Sequence, residues 1–568
     1  MKRHRRSALI LALLIVFAVA TWGFFQATVA PTHQLDQLMP EGSLLYIEAK
    51  DFAALLKDWN SSPEKTAWLK SDDYNVFSNS RLFLRLSKAS DEFTAAAGLR
   101  PDGKFLGESA GAASAIAIYD IGNLEFLYVT RLSSGDFTQS ALWQARNKFQ
   151  PRTAASKTFY VRKDEESGRV VAFAVADSYL ILGTREDLVA GSLELLAGGK
   201  QHNLRQEGWY TQALSAAAPA PGDLRMVLHL EKIAVTPHFR TYWIQQNITE
   251  MKGYSSGVCD LFREGSVYRE ERVLLPKASL DNDTAVAQSA QAVSNLLTLV
   301  PREYGFYQAG ATDAKSSLSV VEQKIIAPHF GIAAADKQAP RVQLTGGESG
   351  SSSDLETRID LEPASRISSQ NVLAGLEKQF EAANPQAMLV VQATHKNHDG
   401  VLLATASVIV ISAATDWDLA AIQKAVQDVV APGLTASALG VQWREIKDAG
   451  GYFELDGLLP LEIARRGKLI YFANDATALT ATLQSKASPP AQAVTYAAGF
   501  HHDRERQGFY EWSTLVGRSS AASAEGPDFF SRNISSLSRT FARVSSEEIV
   551  QRRSRDRIQQ TVTYRWTP

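Results

Sequence analysis

Apolar and polar residues alternate at period two in short runs along this chain, and each run closes on a turn signal or on apolar residues at helical spacing. "PEGSLLYIEAKD" (Pro40 to Asp51) places such a strand after a proline, and "PREYGFYQAGATD" (Pro301 to Asp313) repeats the arrangement. "FLYVTRLSSGDFTQSALWQARNKF" (Phe126 to Phe149) and "ASVIVISAATDWDLAAIQKAVQDVV" (Ala406 to Val430) each read as an apolar strand, a Ser/Thr/Asp helix start and a helix. "GRVVAFAVADSYLILGTREDLVAGSLELL" (Gly168 to Leu196) predicts two strands joined at Ala176-Asp177-Ser178, then a helix begun at Thr184. "GYFELDGLLPLEIARRGKLIYFANDATALTATLQS" (Gly451 to Ser485) ends the same way, with Asp475 as N-cap. "LRMVLHLEKIAVTPHFRTYW" and "VTYAAGFHHDRERQGFYEWS" follow in the two halves, which close on the alternating strands "SVYREERVLL" and "QQTVTYRW".

Like segments in one order, roughly 260–290 residues apart, predict a tandem duplication. The fold class expected is α+β, with antiparallel sheets and a few helices on one face. The first domain covers 31–280 and the second 301–568. Between them, "LPKASLDNDT" and "AVAQSAQAVSNLLTLV" predict a connecting helix or linker over 281–300, and "GIAAADKQAP" with "LTGGESGSSSD" predicts a flexible insert at 331–354.

The start of the chain changes the picture from fold to place. Lys2, Arg3, Arg5 and Arg6 precede the apolar run "ALILALLIVFAVATWGFF" (Ala8 to Phe25), so residues 1–30 read as a signal anchor or a cleaved signal peptide. The body is then expected on the extracytoplasmic side of the cytoplasmic membrane, single-pass if the segment is kept and exported if it is cut. Lys plus Arg (59) nearly balances Asp plus Glu (61), which argues against a nucleic-acid partner. Cys259 stands alone, so no intrachain disulfide forms and stability rests on packing.

The exported start, the strand carrying Pro40, Leu44 and Tyr46 with a helix behind it (Asp51 to Trp59), and the tandem α+β plan resemble a family of bacterial envelope proteins known only through a domain of unknown function. The resemblance brings no catalytic residues with it.

Candidate chemistry is sparse. "GESAG" (Gly107 to Gly111) matches the nucleophile elbow of serine hydrolases and makes Ser109 a candidate nucleophile. Its context departs from an elbow: "RPDGKFLGES" precedes Ser109 where a buried strand belongs, and a hairpin turning at Asp120-Ile121-Gly122-Asn123 follows where a helix belongs. His395 and His398 in "HKNHDG", and His501 and His502 in "HHDRER", are candidate metal ligands without a recognised spacing. No phosphate loop or dinucleotide fingerprint occurs, so no cofactor is expected. The reading is a non-enzymatic periplasmic or cell-surface binding or scaffold module, with membrane contact through the N-terminal helix and envelope proteins as partners. Two alternatives stand beside it: an ester hydrolase using Ser109, and an assembly factor for exported proteins using a free sheet edge or an apolar groove.

Overall fold

The computed structural model describes residues 33–132, 136–236, 251–278, 283–327, 373–396, 403–434, 442–447, 450–455, 460–505 and 543–567. The apolar run 8–25, the insert 331–354 and His398 lie outside them. The strands of the first half are β1 (Leu45–Ala49), β2 (Ser114–Asp120), β3 (Glu125–Arg131), β4 (Gln150–Ala154), β5 (Lys157–Lys163), β6 (Val170–Ala176), β7 (Tyr179–Gly183), β8 (Leu224–Leu228), β9 (Tyr254–Glu264) and β10 (Val267–Pro276). Those of the second half are β11 (Phe306–Ala311), β12 (Pro385–Lys396), β13 (Leu403–Ala413), β14 (Trp443–Ile446), β15 (Tyr452–Leu455), β16 (Leu461–Arg466), β17 (Leu469–Ala473), β18 (Tyr496–His501), β19 (Val544–Arg553) and β20 (Ile558–Trp566).

These strands join, antiparallel at each pairing, into one 20-stranded sheet. Edge to edge it runs β4-β5-β6-β7-β3-β2-β1-β8-β9-β10, then β20-β19-β18-β11-β12-β13-β17-β16-β15-β14. The second half is the first in reverse. Tyr46 and Tyr307 stand at the same distance behind Pro40 and Pro301. Crossing the ladders from these two tyrosines leads to Leu127 and Val408 on one side; on the other, crossing from Glu48 and Ala309, two residues further along each strand, leads to Arg225 and Ala497, then to Glu271 and Thr561. Glu271 and Thr561 are themselves partners in the β10–β20 pairing. Equivalent positions therefore meet at the seam, and a local twofold passes through it.

The principal helices are α1 (Phe52–Ser61), α2 (Pro63–Leu69), α3 (Asp72–Ser78), α4 (Arg81–Ala97), α5 (Gly103–Ser109), α6 (Glu186–Leu196), α7 (Gly208–Ala216), α8 (Asp283–Leu297), α9 (Ala314–Val321), α10 (Ala374–Ala383), α11 (Leu419–Leu434) and α12 (Ala476–Gln484). They cover both faces of the sheet, not one. Tyr46, Leu127 and Ile181 share a core with α6 and α7, while Phe173, Leu180 and Leu182 on the opposite face pack with α4 and α5. The second half repeats this, with Tyr307, Val408 and Tyr471 beside α8 and Ile463, Ile470 and Phe472 beside α10 and α11. The reason lies in β6 and β7: "VVAFAVA" and "YLILG" are apolar on both sides, and every residue of β7 is buried. Such strands need cover on each face. The segment 281–300 is likewise more than a connection, because Val293 and Leu296 of α8 are buried in the second-half core.

Local signals explain most boundaries. Asp51, Asp313 and Asp475 cap α1, α9 and α12, each carboxylate accepting from a backbone N–H of the first turn at 2.7–2.9 Å. Asp177 and Ser178 both take positive φ, the two-residue hairpin geometry that suits the twist of flanking strands. The helix expected from Thr184 starts at Glu186, because the Thr184 hydroxyl accepts the Phe126 N–H (2.9 Å) and so belongs to the sheet. Among the described residues, no helix is long and apolar enough to cross a membrane.

Candidate functional site

Ser109 is the last residue of α5, a helix capped by Asp102, and is buried at 4% exposure. An elbow serine instead sits on a strained strand-to-helix turn with its hydroxyl presented. The residues after Ser109 are tied down to β3: Tyr128 donates to the Ser109 carbonyl (2.9 Å), Gly111 N–H donates to Thr130 Oγ1 (3.0 Å), and that hydroxyl lies 2.6 Å from Ser114 Oγ. His229 stands on the other face of the sheet, stacked on Trp209 of α7 (4.4 Å between centroids). His202 is exposed, 3.8 Å from Glu41. Among the described residues no imidazole is hydrogen-bonded to Ser109.

The two glycines of this stretch differ in a way that separates a docking role from an elbow. A Cβ on Gly111 would collide with the Arg131 carbonyl and the Thr130 hydroxyl, whereas one on Gly107 meets nothing within 4 Å. Gly111→Ala is expected to cost about 1–3 kcal/mol through overpacking. Gly107→Ala should stabilise α5 by up to about 1 kcal/mol. Paired melting curves check this, and a loss at both positions would show that the backbone here needs both glycines.

Beside this docked segment lies the feature that the geometry singles out. A cavity of about 420 Å³ separates the β1–β2–β3 face of the sheet from α4 and α5. Its floor is Ile47, Ile116, Ile118, Phe126 and Leu182, and its roof is Leu86, Ala89 and Phe93 of α4 with Phe105 and Leu106 of α5. On β2 the lining runs from Ser114 to Ile118, roughly 13 Å at about 3.3 Å per residue. Leu86 and Leu106 line it and are also 44% and 38% exposed, so they form its mouth. The size lies within the ~300–1,000 Å³ usual for small-molecule sites, and the lining is apolar as such sites are.

Polar groups mark its two ends. At the β2 start, Ser109, Ser114 and the Tyr128 hydroxyl belong to the bonded knot above, and burial pushes the Tyr128 phenol above its ordinary range. At the β2–β3 turn, Arg169 donates to the Asn123 carbonyl (2.7 Å) and pairs with Glu92 of α4. Arg85 donates to the Gly122 carbonyl (2.8 Å) and reaches Glu92 at 3.5 Å. Burial works against the Glu92 carboxylate, yet the hydrogen bond and charge of Arg169, with Arg85 and Lys88, hold it below the usual range.

The other sequence candidates do not converge. His395, at the end of β12, lies 3.8 Å from Asp475; His501 lies 3.7 Å from Asp503 and against Tyr304; His502 packs on Phe500. Burial and Arg504 lower the His501 pKa. Among the described residues no group of three or more His, Cys, Asp or Glu is placed to hold a metal. Cys259 is half-buried on β9, and burial with the nearby Glu270 pushes its thiol up to about 11, which leaves little thiolate at neutral pH. A second cavity, about 650 Å³, occupies the corresponding place over β11, β12 and β18, and is more polar, with Lys324, Gln308, Gln392 and Glu505 in its wall.

The halves meet in the unbroken β10–β20 ladder, and the apolar cavity lies inside the first half. One signal was there to read: Leu86, Ala89, Ser90 and Phe93 fall at helical spacing on α4, a stripe that the cavity takes.

No protein-family model matches the chain, and no curated protein matches its sequence. Two solved structures are similar in part. Crystal form I of TP0453 has a TM-score of 0.23 and 10% identity, over 46% of this chain and 86% of that one. Crystal form III of TP0453 has a TM-score of 0.25 and 10% identity, over 47% and 88%.

Proposed function

We propose that this chain is a non-enzymatic binding module of a bacterial envelope, kept at the cytoplasmic membrane by its first 30 residues, built by duplication of one unit, and loaded with an apolar ligand between α4, α5 and the sheet. The cavity lined by Ile116, Phe126, Leu86 and Phe93 is the observation that carries this reading. The basic flank and apolar run at the start of the chain support the location. The repeated strand order and the matched positions across the seam support the duplication.

The assembly-factor alternative draws less support. The sheet's edges among the described residues are β4 and β14, five and four residues long, bearing Pro151 and Arg152 on one and Arg444 and Glu445 on the other. Short edges with proline and charge discourage strand addition.

The test uses N-phenyl-1-naphthylamine, whose emission rises in apolar surroundings, with the full chain in nanodiscs. Saturable enhancement above that of empty nanodiscs is expected, and Ala89→Trp, which fills the cavity from α4, should abolish it while leaving the melting temperature within a few degrees. Equal enhancement in wild type and Ala89→Trp would overturn the reading, as would none in either.

A further inference from the structure

We infer that the ligand of the first-half cavity is a single-chain amphiphile with an anionic head, its hydrocarbon chain lying along β2 and its head at the Arg169 guanidinium. This rests on the binding reading above and names the ligand class.

Shape gives the chain. The cavity lies between two packed layers, with Ile116 and Ile118 below and Ala89 and Phe93 above, and along β2 its lining leads from Ser114 toward the β2–β3 turn, where Arg169 stands. One extended hydrocarbon chain fills such a space without leaving buried polar atoms unpaired. At the Ser114 end the hydroxyls of Ser114, Thr130 and Tyr128 already bond one another: Ser114 Oγ lies 2.6 Å from Thr130 Oγ1 and 3.3 Å from the Tyr128 hydroxyl.

Charge gives the head. Arg169 lines the cavity at the turn end, with only 9% of its side chain exposed. The hydrogen bonds of its guanidinium among the described residues, to Glu92 and to the Asn123 carbonyl, leave from Nη2. Three cations gather there: Arg169, Arg85 and Lys88 act on Glu92. Against them stand Glu92 and Asp120, and Asp120 is occupied by the N–H groups of Gly122 and Asn123 (2.7 and 3.1 Å). The excess is positive, at the end where Arg169 lines the cavity with its other guanidinium nitrogens unbonded among the described residues. A carboxylate or a phosphate monoester satisfies them, and a neutral alcohol does not.

Affinity should therefore rise about fourfold for each added methylene until the cavity is full. The head should contribute on the order of tenfold or more over the alcohol of the same chain.

The experiment is photolabelling of the full chain in nanodiscs by a diazirine-bearing hexadecanoic acid, read by intact mass and peptide mapping. Competition by unlabelled alkanoic acids and alkanols of matched length gives relative affinities, and a matched alkyl phosphate tells whether the head must be a carboxylate. Labelling is expected on 81–97 and 114–128, with the acid preferred over the alcohol. Arg169→Gln should erase that preference. Glu92→Gln frees the guanidinium and should widen it, although both variants lose the Arg169–Glu92 ion pair. Equal competition by acid and alcohol in the wild type overturns the anionic head, as does a preference unchanged in Arg169→Gln. The naphthylamine result would stand in either case, so the two readings fail separately. Labelling outside the cavity peptides, unaffected by Ala89→Trp, sinks both.

Discussion

Asp260→Ala is expected to destabilise the first half by about 3–5 kcal/mol, the cost of leaving one member of a buried ion pair alone. Arg225 of β8 and Asp260 of β9 stand directly opposite each other and are 9% and 1% exposed. The carboxylate accepts from Arg225 Nε and Nη2, both at 2.7 Å, and from Gly222 N–H at 3.1 Å. With Asp260 removed, the guanidinium keeps only the Ala218 carbonyl (3.0 Å) as a described partner. Ladder equivalence supplies the second half of the test. In the other half the corresponding facing pair is Ala497 and Val550. The double variant Arg225→Ala with Asp260→Val copies it, and should recover most of the loss, because apolar replacement of a buried pair is often close to neutral. Denaturant unfolding of the three proteins decides it. A double variant as unstable as Asp260→Ala would mean that the pair holds something more than itself.

Much of the fold was legible because antiparallel strands with one polar face declare themselves at period two. The strands at Pro40 and Pro301, the hairpin at Asp177-Ser178, the cap at Asp475 and the closing strands "SVYREERVLL" and "QQTVTYRW" all form as their residues suggest. What local pattern does not carry is which strand pairs with which. That β10 and β20 pair, turning two similar halves into one sheet, depends on contacts nearly 300 residues apart, as in Glu271 with Thr561. The second layer of helices was missed for a related reason. A fully apolar strand such as "YLILG" says that both faces are covered, but not by what.

The site was less legible still. "GESAG" drew the eye as a motif, yet its serine ends a helix and its second glycine serves close approach to β3. Phe126, Leu86 and Arg169 look like ordinary strand, helix and turn residues in sequence, and only tertiary packing turns them toward one space. The cavity stands where each half inserts its helices after its first strand: α1 to α5 between β1 and β2, α9 and α10 between β11 and β12. The insertions differ in length and sequence, and so do the cavities they roof, one apolar and one with Lys324 in its wall.

Raising the pH from 5 to 9 should weaken the second half chiefly through Glu462, whose carboxyl is shifted to about 8. It lies on β16 at 1% exposure, Oε2 has no hydrogen-bond partner among the described residues, and burial with the charges of Asp475 and Glu454 raises its pKa from 4.5 to about 8. A carboxyl whose folded pKa is raised favours the folded state in its protonated form. That contribution is complete below about 4.5 and is lost as pH climbs through about 8. At 1.36 kcal/mol per unit the part lost between pH 5 and about 8 is on the order of 4 kcal/mol, or roughly 8–16 °C in melting temperature for a unit of this size. The ladder again names the control. Crossing β13 and β17 from Val408 reaches Glu462, and crossing β3 and β7 from Leu127 reaches Ala172, so the first half buries an alanine where the second buries an acid. Glu462→Gln should melt near wild type at pH 5, hold that temperature at pH 9 while wild type falls, and show slower amide exchange than wild type in 461–473 at the higher pH. Parallel melting curves for the two proteins across this range would mean that Glu462 is solvated and that its burial against Ala473 is not as described.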